Sequence, residues 1–434
     1  MFKATLRFSY ILCYIAALFC FISAEAVEAA GPTVDVIEVE GNIVPVVAEY
    51  IDRAITAAEE RGSTACVIRL NTPGGLLDTT EKIVQRILNA RVPVIVFVAP
   101  QGAWAASAGT FITVSGHIAA MSPGTTIGAA HPVSVGEEMG EDVLKKATEY
   151  SAAWIRSIAE KRGKNASEFE LAVTESKSFT ADQALQSNLI DVVAHDMNDL
   201  LYKIGGRQVE LADNTVVTLD TQNALLRNTN MTPIEDFIKT ISNPNIAYIL
   251  LSMGSIGLFV EITNPGLIFP GVAGGICLII ALYALGSLNA YWAGLLFMVL
   301  AFGMFMAEIF TPTFGILTAG GIVSLIAGSF LLFINNPPSL QINIGLIIVV
   351  VILVAAFFIF VVGMVVRGQK RKVETGEEGM LGRSAIVKTR LSPRGMVLVE
   401  GELWNAVLEE GVSEEGEEVI VKKVDGLRLV VAKK

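Results

Sequence analysis

From residue 34 to about 132 the apolar positions switch between two periods. "TVDVIEVEG" places them at close to every second residue and reads as a strand. "VPVVAEYIDRAITAAEERG" repeats them at helical spacing and stops at Gly62. "ACVIRL" and "VPVIVFVA" are short unbroken apolar runs, as expected of strands covered on both faces, and "LLDTTEKIVQRILNA" between them is helical. Repeated strand–helix–strand units predict an α/β domain with a mainly parallel sheet and its active groups at the carboxyl ends of the strands.

Beyond about residue 240 the pattern changes. An apolar block from about 246 to 366 is divided by "TNPGLIFPG", "GSLNAY", "FTPTFG" and "NNPPSLQ". The divisions leave five stretches, near 246–263, 269–287, 291–309, 315–334 and 342–366, each close to the roughly 20 residues a helix needs to cross the hydrocarbon core. Residues 1–30, with Lys3 and Arg7 ahead of "YILCYIAALFCFIS" and the small residues of "SAEAVEAA", read as a secretory signal. Arg367, Lys370, Arg371 and Lys372 follow the fifth stretch and place that end in the cytoplasm, so an odd number of spans puts residues 31–240 outside the cell. The last 60 or so residues, 367–434, return to alternating β-branched strands with Gly-containing breaks, as in a small all-β barrel of the OB type.

The block also repeats. "GLFVEITNPGLIFPGVAGGI" and "MFMAEIFTPTFGILTAGGI" align Glu261 with Glu308 and Gly274-Gly275 with Gly320-Gly321, with a one-residue slip. The glycines would let helices approach closely. Acids in membrane spans are costly, and these two are expected to be structural, reaching the headgroup region beside the Pro turns, rather than to line an ion path.

Composition agrees with a membrane protein: 52% hydrophobic and only 17% charged residues, with a mean hydropathy of +0.56. A net charge of -11 argues against a general nucleic-acid binder, which needs a basic face. The C-terminal segment, with 9 Lys/Arg against 11 Asp/Glu from residue 375 and Trp404 as its only aromatic, lacks the basic groove and stacking rings of a single-strand binder. With 4 Cys and 3 His at no ligand spacing, neither a metal nor a cofactor is expected.

Two loops carry candidate chemistry. "NTPGG" (71–75) follows one central strand, and "PQGAWAAS" follows the next and ends at Ser107, which opens a helix. Adjacent strand ends would set Gly74 and Gly75 beside Ser107, where backbone N–H groups stabilise an oxyanion and a helix start favours negative charge. A nucleophilic serine needs a base. His131 lies 24 residues on, Lys146 lies 39 residues on, and Lys145 is its neighbour; spacing alone does not choose among them.

"LNTPGG", "AWAASAGTFI", "MSPGTTIGAAHPV" and "KATEYSAAWIRSIAEKRGKN", with the apolar block and the β-domain, resemble the long form of the NfeD family, membrane-bound serine proteases of the Clp class. The resemblance implies a Clp/crotonase-like domain over residues 31–240 and a Ser-Lys dyad falling on Ser107 and Lys146. It puts the oxyanion donors on the backbones of Gly74, Gly75 and Ala108. It implies cleavage of apolar segments of membrane proteins, a stomatin- or flotillin-like partner, contact with lipid and assembly into a dimer or larger. Asn188 stands where the family often has glycine, in a turn away from the dyad. His131-Pro132 falls close to where Clp proteases proper carry their histidine, so His131 is the alternative base. The polar stretch 133–145 is expected to form a flexible lid. A non-catalytic scaffold for the same partner is the competing function; an acyl-CoA enzyme conflicts with the export signal.

Overall fold

A computed structural model describes residues 31–132, 141–311, 313–369 and 377–434. The signal segment 1–30, residues 133–140 of the expected lid, and Lys370, Arg371 and Lys372 lie outside the described residues.

In chain order the soluble domain runs β1 (Thr33–Glu40), α1 (Pro45–Glu60), β2 (Ala65–Asn71), α2 (Leu77–Leu88), β3 (Val94–Val98), β4 (Trp104–Ala106), α3 (Ala108–Ser115), β5 (Ile118–Met121) and β6 (Thr126–Gly128). It continues with α4 (Glu141–Lys161), α5 (Ala166–Thr174), β7 (Ser178–Thr180), α6 (Ala181–Gln186), β8 (Val192–Val193), α7 (Met197–Ile204), β9 (Gln208–Glu210), β10 (Val216–Thr218), β11 (Leu225–Asn228) and α8 (Pro233–Ile241). The main sheet has the order β11-β1-β2-β3-β5-β8, and every neighbouring pair is parallel. All five residues of β3 are buried, because helices and loops cover both faces of a parallel sheet. Helix α1 starts with Pro45 at its first turn, where no N–H is needed. It buries Val47, Tyr50, Ile51, Ala54, Ile55 and Ala58, the expected helical stripe. A second sheet, β4-β6-β7, joins the first through the bridge Thr72↔Ala105 and so hangs the segment before Ser107 directly beside the end of β2.

Five apolar helices follow: α9 (Pro244–Thr263), α10 (Ile268–Ser287), α11 (Trp292–Phe310), α12 (Ile316–Leu331) and α13 (Ile344–Gln369). Among the described residues four of these stretches are long and apolar enough to cross a membrane, and α12, with 16 residues, is shorter. The repeated glycines do the same work in each pair. A Cβ on Gly274 would stand 2.9 Å from the Gly254 carbonyl oxygen, and one on Gly321 2.5 Å from the Phe305 ring, so α9–α10 and α11–α12 close on glycine. Glu308, 3% exposed, accepts from Thr313 Oγ1 (2.8 Å) and Gly315 N (2.9 Å), just ahead of α12. Glu261 packs its Cγ against Gly271 on α10.

One compact unit comprises Met1–Ala307 and Ile316–Ala355, the other Glu308–Gly315 and Ala356–Lys434. The second contains the short helix α14 (Glu377–Met380) and a closed five-stranded barrel of β12 (Ser384–Val387), β13 (Arg394–Val399), β14 (Glu402–Leu408), β15 (Glu418–Asp425) and β16 (Arg428–Lys433), ordered β12-β13-β14-β16-β15. Its alternating inward residues, among them Ala385, Val397, Ala406, Val421 and Val431, fill the interior.

Candidate active site

Ser107 sits between β4 and α3 with φ 51° and ψ −113°, a left-handed backbone that serine adopts only when its surroundings enforce it. The enforcement is visible. Ser107 N donates to Gly128 O at 3.1 Å on β6. The fully buried hydroxyl of Thr110 donates to Ala105 O (3.0 Å) or Gly128 O (2.9 Å) and accepts from Gly128 N at 3.1 Å. Thr110 therefore pins both flanks of the elbow. Such a strand-to-helix turn lifts a serine hydroxyl clear of its own backbone and aims it at a ligand.

Gly74 meets it from the end of β2. A Cβ built on Gly74 would lie 2.9 Å from Ser107 Cβ and 3.3 Å from Ser107 Oγ, so only a glycine leaves room. The Gly74 N–H donates to Thr72 Oγ1 at 3.1 Å and is thus already engaged. Gly75 is held on its other side: Ile43 N donates to Gly74 O at 2.8 Å, and Leu76 N donates to Ile43 O at 3.0 Å. Among the described residues the N–H groups of Gly75 and Ala108 donate no backbone hydrogen bond; the second is an orphan of the α3 start. Of the three expected oxyanion donors, Gly75 and Ala108 are therefore free in this state, and Gly74 shapes the loop.

The cleft beside Ser107 has a volume of about 460 Å³ and is also lined by Gly75, Ala108, Phe111, His131 and Ser151. His131 is half-buried, and its Nδ1 lies 2.8 Å from Val173 O. A carbonyl only accepts, so Nδ1 carries a hydrogen and Nε2 is the nitrogen left to face the cleft's contents. Helix α4 turns Ala147 and Ser151 to the cleft and is anchored by Trp154, stacked on Phe111 at 4.6 Å. Residues 141–145 are thus its first turn, and only 133–140 of the expected lid precede it. At 100° per residue Lys146 points about 140° away from Ser151. Its side chain is exposed, as is that of Lys145, and neither lines the cleft. The structure therefore brings Ser107, Gly74, Gly75, Ala108 and His131 together and leaves Lys146 on the flank. Among the described residues there are no groups of His, Cys, Asp and Glu that could hold a metal ion. Thr72 and Thr110 were not legible as part of this site, because their roles depend on which strands become neighbours.

These features define an integral membrane protein that carries a soluble α/β domain with a serine at a strained strand-to-helix elbow, and a separate β-barrel. The chain belongs to the NfeD family: it is 39% identical over 410 residues to the membrane-bound protease PH1510 of Pyrococcus horikoshii, covering 92% of each chain. Family profiles match as the NfeD1b N-terminal domain (residues 33–228), the NfeD integral membrane domain (245–364) and the NfeD-like C-terminal, partner-binding domain (377–433). The membrane protein NfeD1b of Bacillus subtilis is 26% identical over 443 residues, 93% of each chain. Among solved structures, a membrane-bound stomatin-specific protease 1510-N, as a lysine-to-alanine mutant in complex with a substrate peptide, is 37% identical, with a TM-score of 0.46, and covers 49% of this chain and 98% of that one. ClpP1 from Listeria monocytogenes is 18% identical with a TM-score of 0.32, covering 38% of this chain and 94% of that one.

Proposed function

We propose that the protein is a membrane-bound serine endopeptidase in which Ser107 is the nucleophile. The observation that carries the reading is the enforced left-handed backbone of Ser107 with Gly74 packed against its side chain and two unengaged N–H groups, of Gly75 and Ala108, at its edge. The name of the 39%-identical relative, a protease, supports it. The base takes the Ser107 Oγ proton as Oγ attacks a peptide carbonyl, the carbonyl oxygen becomes an oxyanion between those N–H groups, and the base hands that proton to the leaving amine as the C–N bond breaks; water then releases the acyl group by the reverse roles.

The family resemblance assigns the base to Lys146. A lysine serves only when neutral, which requires desolvation, and Lys146 is exposed here. This assignment therefore requires the first turns of α4 to move onto Ser107 when peptide binds. A second reading has its own support: His131 lines the cleft, and its Nδ1 is engaged by Val173 O, which leaves Nε2 as the nitrogen available to a substrate proton. The full chain, reconstituted in lipid, should cleave apolar peptides, with products read by mass spectrometry, and should lose all cleavage on Ser107→Ala. Loss on Lys146→Ala with survival of His131→Ala makes the pair Ser107–Lys146; the opposite result makes it Ser107–His131. Cleavage that survives Ser107→Ala refutes the nucleophile. An inert wild type in a folded, assembled sample leaves a scaffold.

The partner-binding description of the matched C-terminal domain supports a role for the barrel in holding a stomatin- or flotillin-like membrane protein. In this reading the soluble domain lies outside the cytoplasm, the barrel inside it, and five helices cross the bilayer between them. The chain works as a homodimer or larger assembly.

A further inference from the structure

Part of the Ser107 cleft does not belong to the α/β domain. Asn289, from the loop between α10 and α11, and Asn335, Asn336 and Pro337, from the loop between α12 and α13, complete its lining. The two loops make one stiff rim. Asn336, 3% exposed, donates from Nδ2 to Leu288 O at 2.6 Å, and Tyr291 N donates to Leu332 O at 2.8 Å. A Cβ on Gly294 would stand 2.5 Å from Leu332 Cα, so the start of α11 lies flat on the end of α12.

The rim is also tied to the catalytic loop. Asn42 Nδ2 donates to Ser339 O at 2.9 Å. The next residue, Ile43, brackets Gly74 and Leu76 by the two backbone bonds described above. One short run of hydrogen bonds thus leads from the loop between α12 and α13 to the residues on either side of Gly75. On the open side of the rim, Asn289 and Asn335 are exposed, and among the described residues neither carboxamide has a hydrogen-bond partner. A carboxamide offers one donor side and one acceptor side, like a peptide group, and pairs with an extended main chain whatever its side chains. Asn289 also borders a second cavity, of about 340 Å³, walled by Leu282, Leu285, Tyr291, Trp292 and Leu295 at the junction of α10 and α11.

We propose that this rim is the substrate-selecting wall of the cleft. Asn289 and Asn335 hold the main chain of an extended segment across Ser107, and the apolar cavity behind Asn289 takes the side chains by which that segment leaves the bilayer. The occupant is a membrane-anchored polypeptide, cut next to its own span. The inference rests on Ser107 being the nucleophile. A peptide at the ends of spanning helices is within reach of a chain that starts in the same bilayer, and tethering there raises its effective concentration without any new contact. The two carboxamides offer the main chain of such a segment both a donor and an acceptor.

The test uses the full chain in phosphatidylcholine vesicles and two synthetic probes: an apolar tail carried on a leucine-alanine span of about 20 residues, and the same tail free in solution. A benzophenone amino acid at position 335 in the Ser107→Ala background reads contact without cleavage. Wild type is compared by kcat/KM on both probes with Asn335→Trp and Asn289→Trp, each changed at one exposed loop position. The wall predicts cross-linking of the tethered probe above the free one. It also predicts that either tryptophan lowers the tethered-to-free ratio of kcat/KM by about tenfold or more, as tethering and preorganisation are lost. Equal cross-linking of the two probes, or an unchanged ratio, overturns the proposal. Failure of wild-type Ser107 to react with a fluorophosphonate both with and without an apolar peptide present would instead refute the nucleophile, and the cross-link at 335 would still decide the wall.

Discussion

Replacing Gly75 by alanine tests the oxyanion loop at its tightest point. The new Cβ would collide with the Ile43 carbonyl oxygen and stand 2.5 Å from Ile43 Cβ and 2.6 Å from Ile43 Cα, where ordinary contact begins at 3.4 Å. These are backbone and branch-point atoms, with no flexible end to swing aside. The two segments must separate by about 1 Å, a displacement that in a catalytic constellation can cost about 10²-fold. Loss of one oxyanion donor costs about 10²–10³-fold in kcat, and overpacking about 1–3 kcal/mol of stability. Gly75→Ala should therefore lower kcat on an apolar peptide by roughly two to three orders of magnitude, with little change in KM. The melting temperature should fall by only a few degrees for so large a chain. Peptide cleavage and the rate of Ser107 modification by a fluorophosphonate, measured beside thermal unfolding, separate the two effects. Cleavage within a few-fold of wild type, in a protein that melts normally, would show that the Gly75 N–H does not meet the oxyanion.

Other outcomes follow from single side chains. Thr110→Val removes a buried hydroxyl that accepts from Gly128 N and donates to Ala105 O or Gly128 O, so unfolding in urea should show a loss of about 1–3 kcal/mol, and Ser107 should react more slowly as its elbow relaxes. His117 is half-buried beside Arg162 and accepts from Val94 N at 3.1 Å; desolvation above all lowers its pKa from 6.5 to about 3. The unfolded chain takes up this proton below about pH 6.5 and the folded protein only near pH 3, so stability is present above the upper value and drains as pH falls through that window, by a few kcal/mol in all. His117→Gln should flatten that part of the stability–pH curve; an unchanged slope would point to other groups. The Cys66 thiol, fully buried and pushed up to about 12, should resist maleimide in the native protein and react on unfolding, as mapped on its peptide. Asn42→Ala cuts the bond to Ser339 and should reduce cleavage of a membrane-anchored peptide more than of a soluble one, measured as a ratio.

The periods of the chain made the fold legible wherever one face of an element is buried along its whole length. β2, β3, α1 and the five apolar helices all lie within a few residues of where the pattern puts them. Shorter pieces escaped. β4, β6 and β7 have three residues each, too few to show a period, yet together they form the sheet that fixes Ser107. Their pairing is a long-range fact: Thr126 lies opposite Thr180, and Thr72 opposite Ala105. The same holds for Thr110, an ordinary helix residue by sequence, whose hydroxyl becomes structural only because Gly128 arrives beside it.

The choice between the two candidate bases shows where sequence reasoning reaches its limit. Lys146 and His131 are equally admissible by spacing, since the chain between them can be looped to bring either to Ser107. What separates them is rotational phase. Once α4 begins at Glu141 and Trp154 is clamped on Phe111, the helix has no freedom to turn, and Ala147 and Ser151 must face the cleft. Lys146 then reaches Ser107 only if the turns ahead of Trp154 unwind or tilt. His131 needs no such change, since Val173 already fixes its ring. The two bases therefore differ in more than identity. A lysine base couples catalysis to a movement of α4 on peptide binding, whereas a histidine base leaves the site competent at rest. Fluorophosphonate, which needs no peptide, discriminates: rapid modification of Ser107 in the peptide-free enzyme, abolished by His131→Ala, fits the resting site, and modification that accelerates only when an apolar peptide is present fits the lysine.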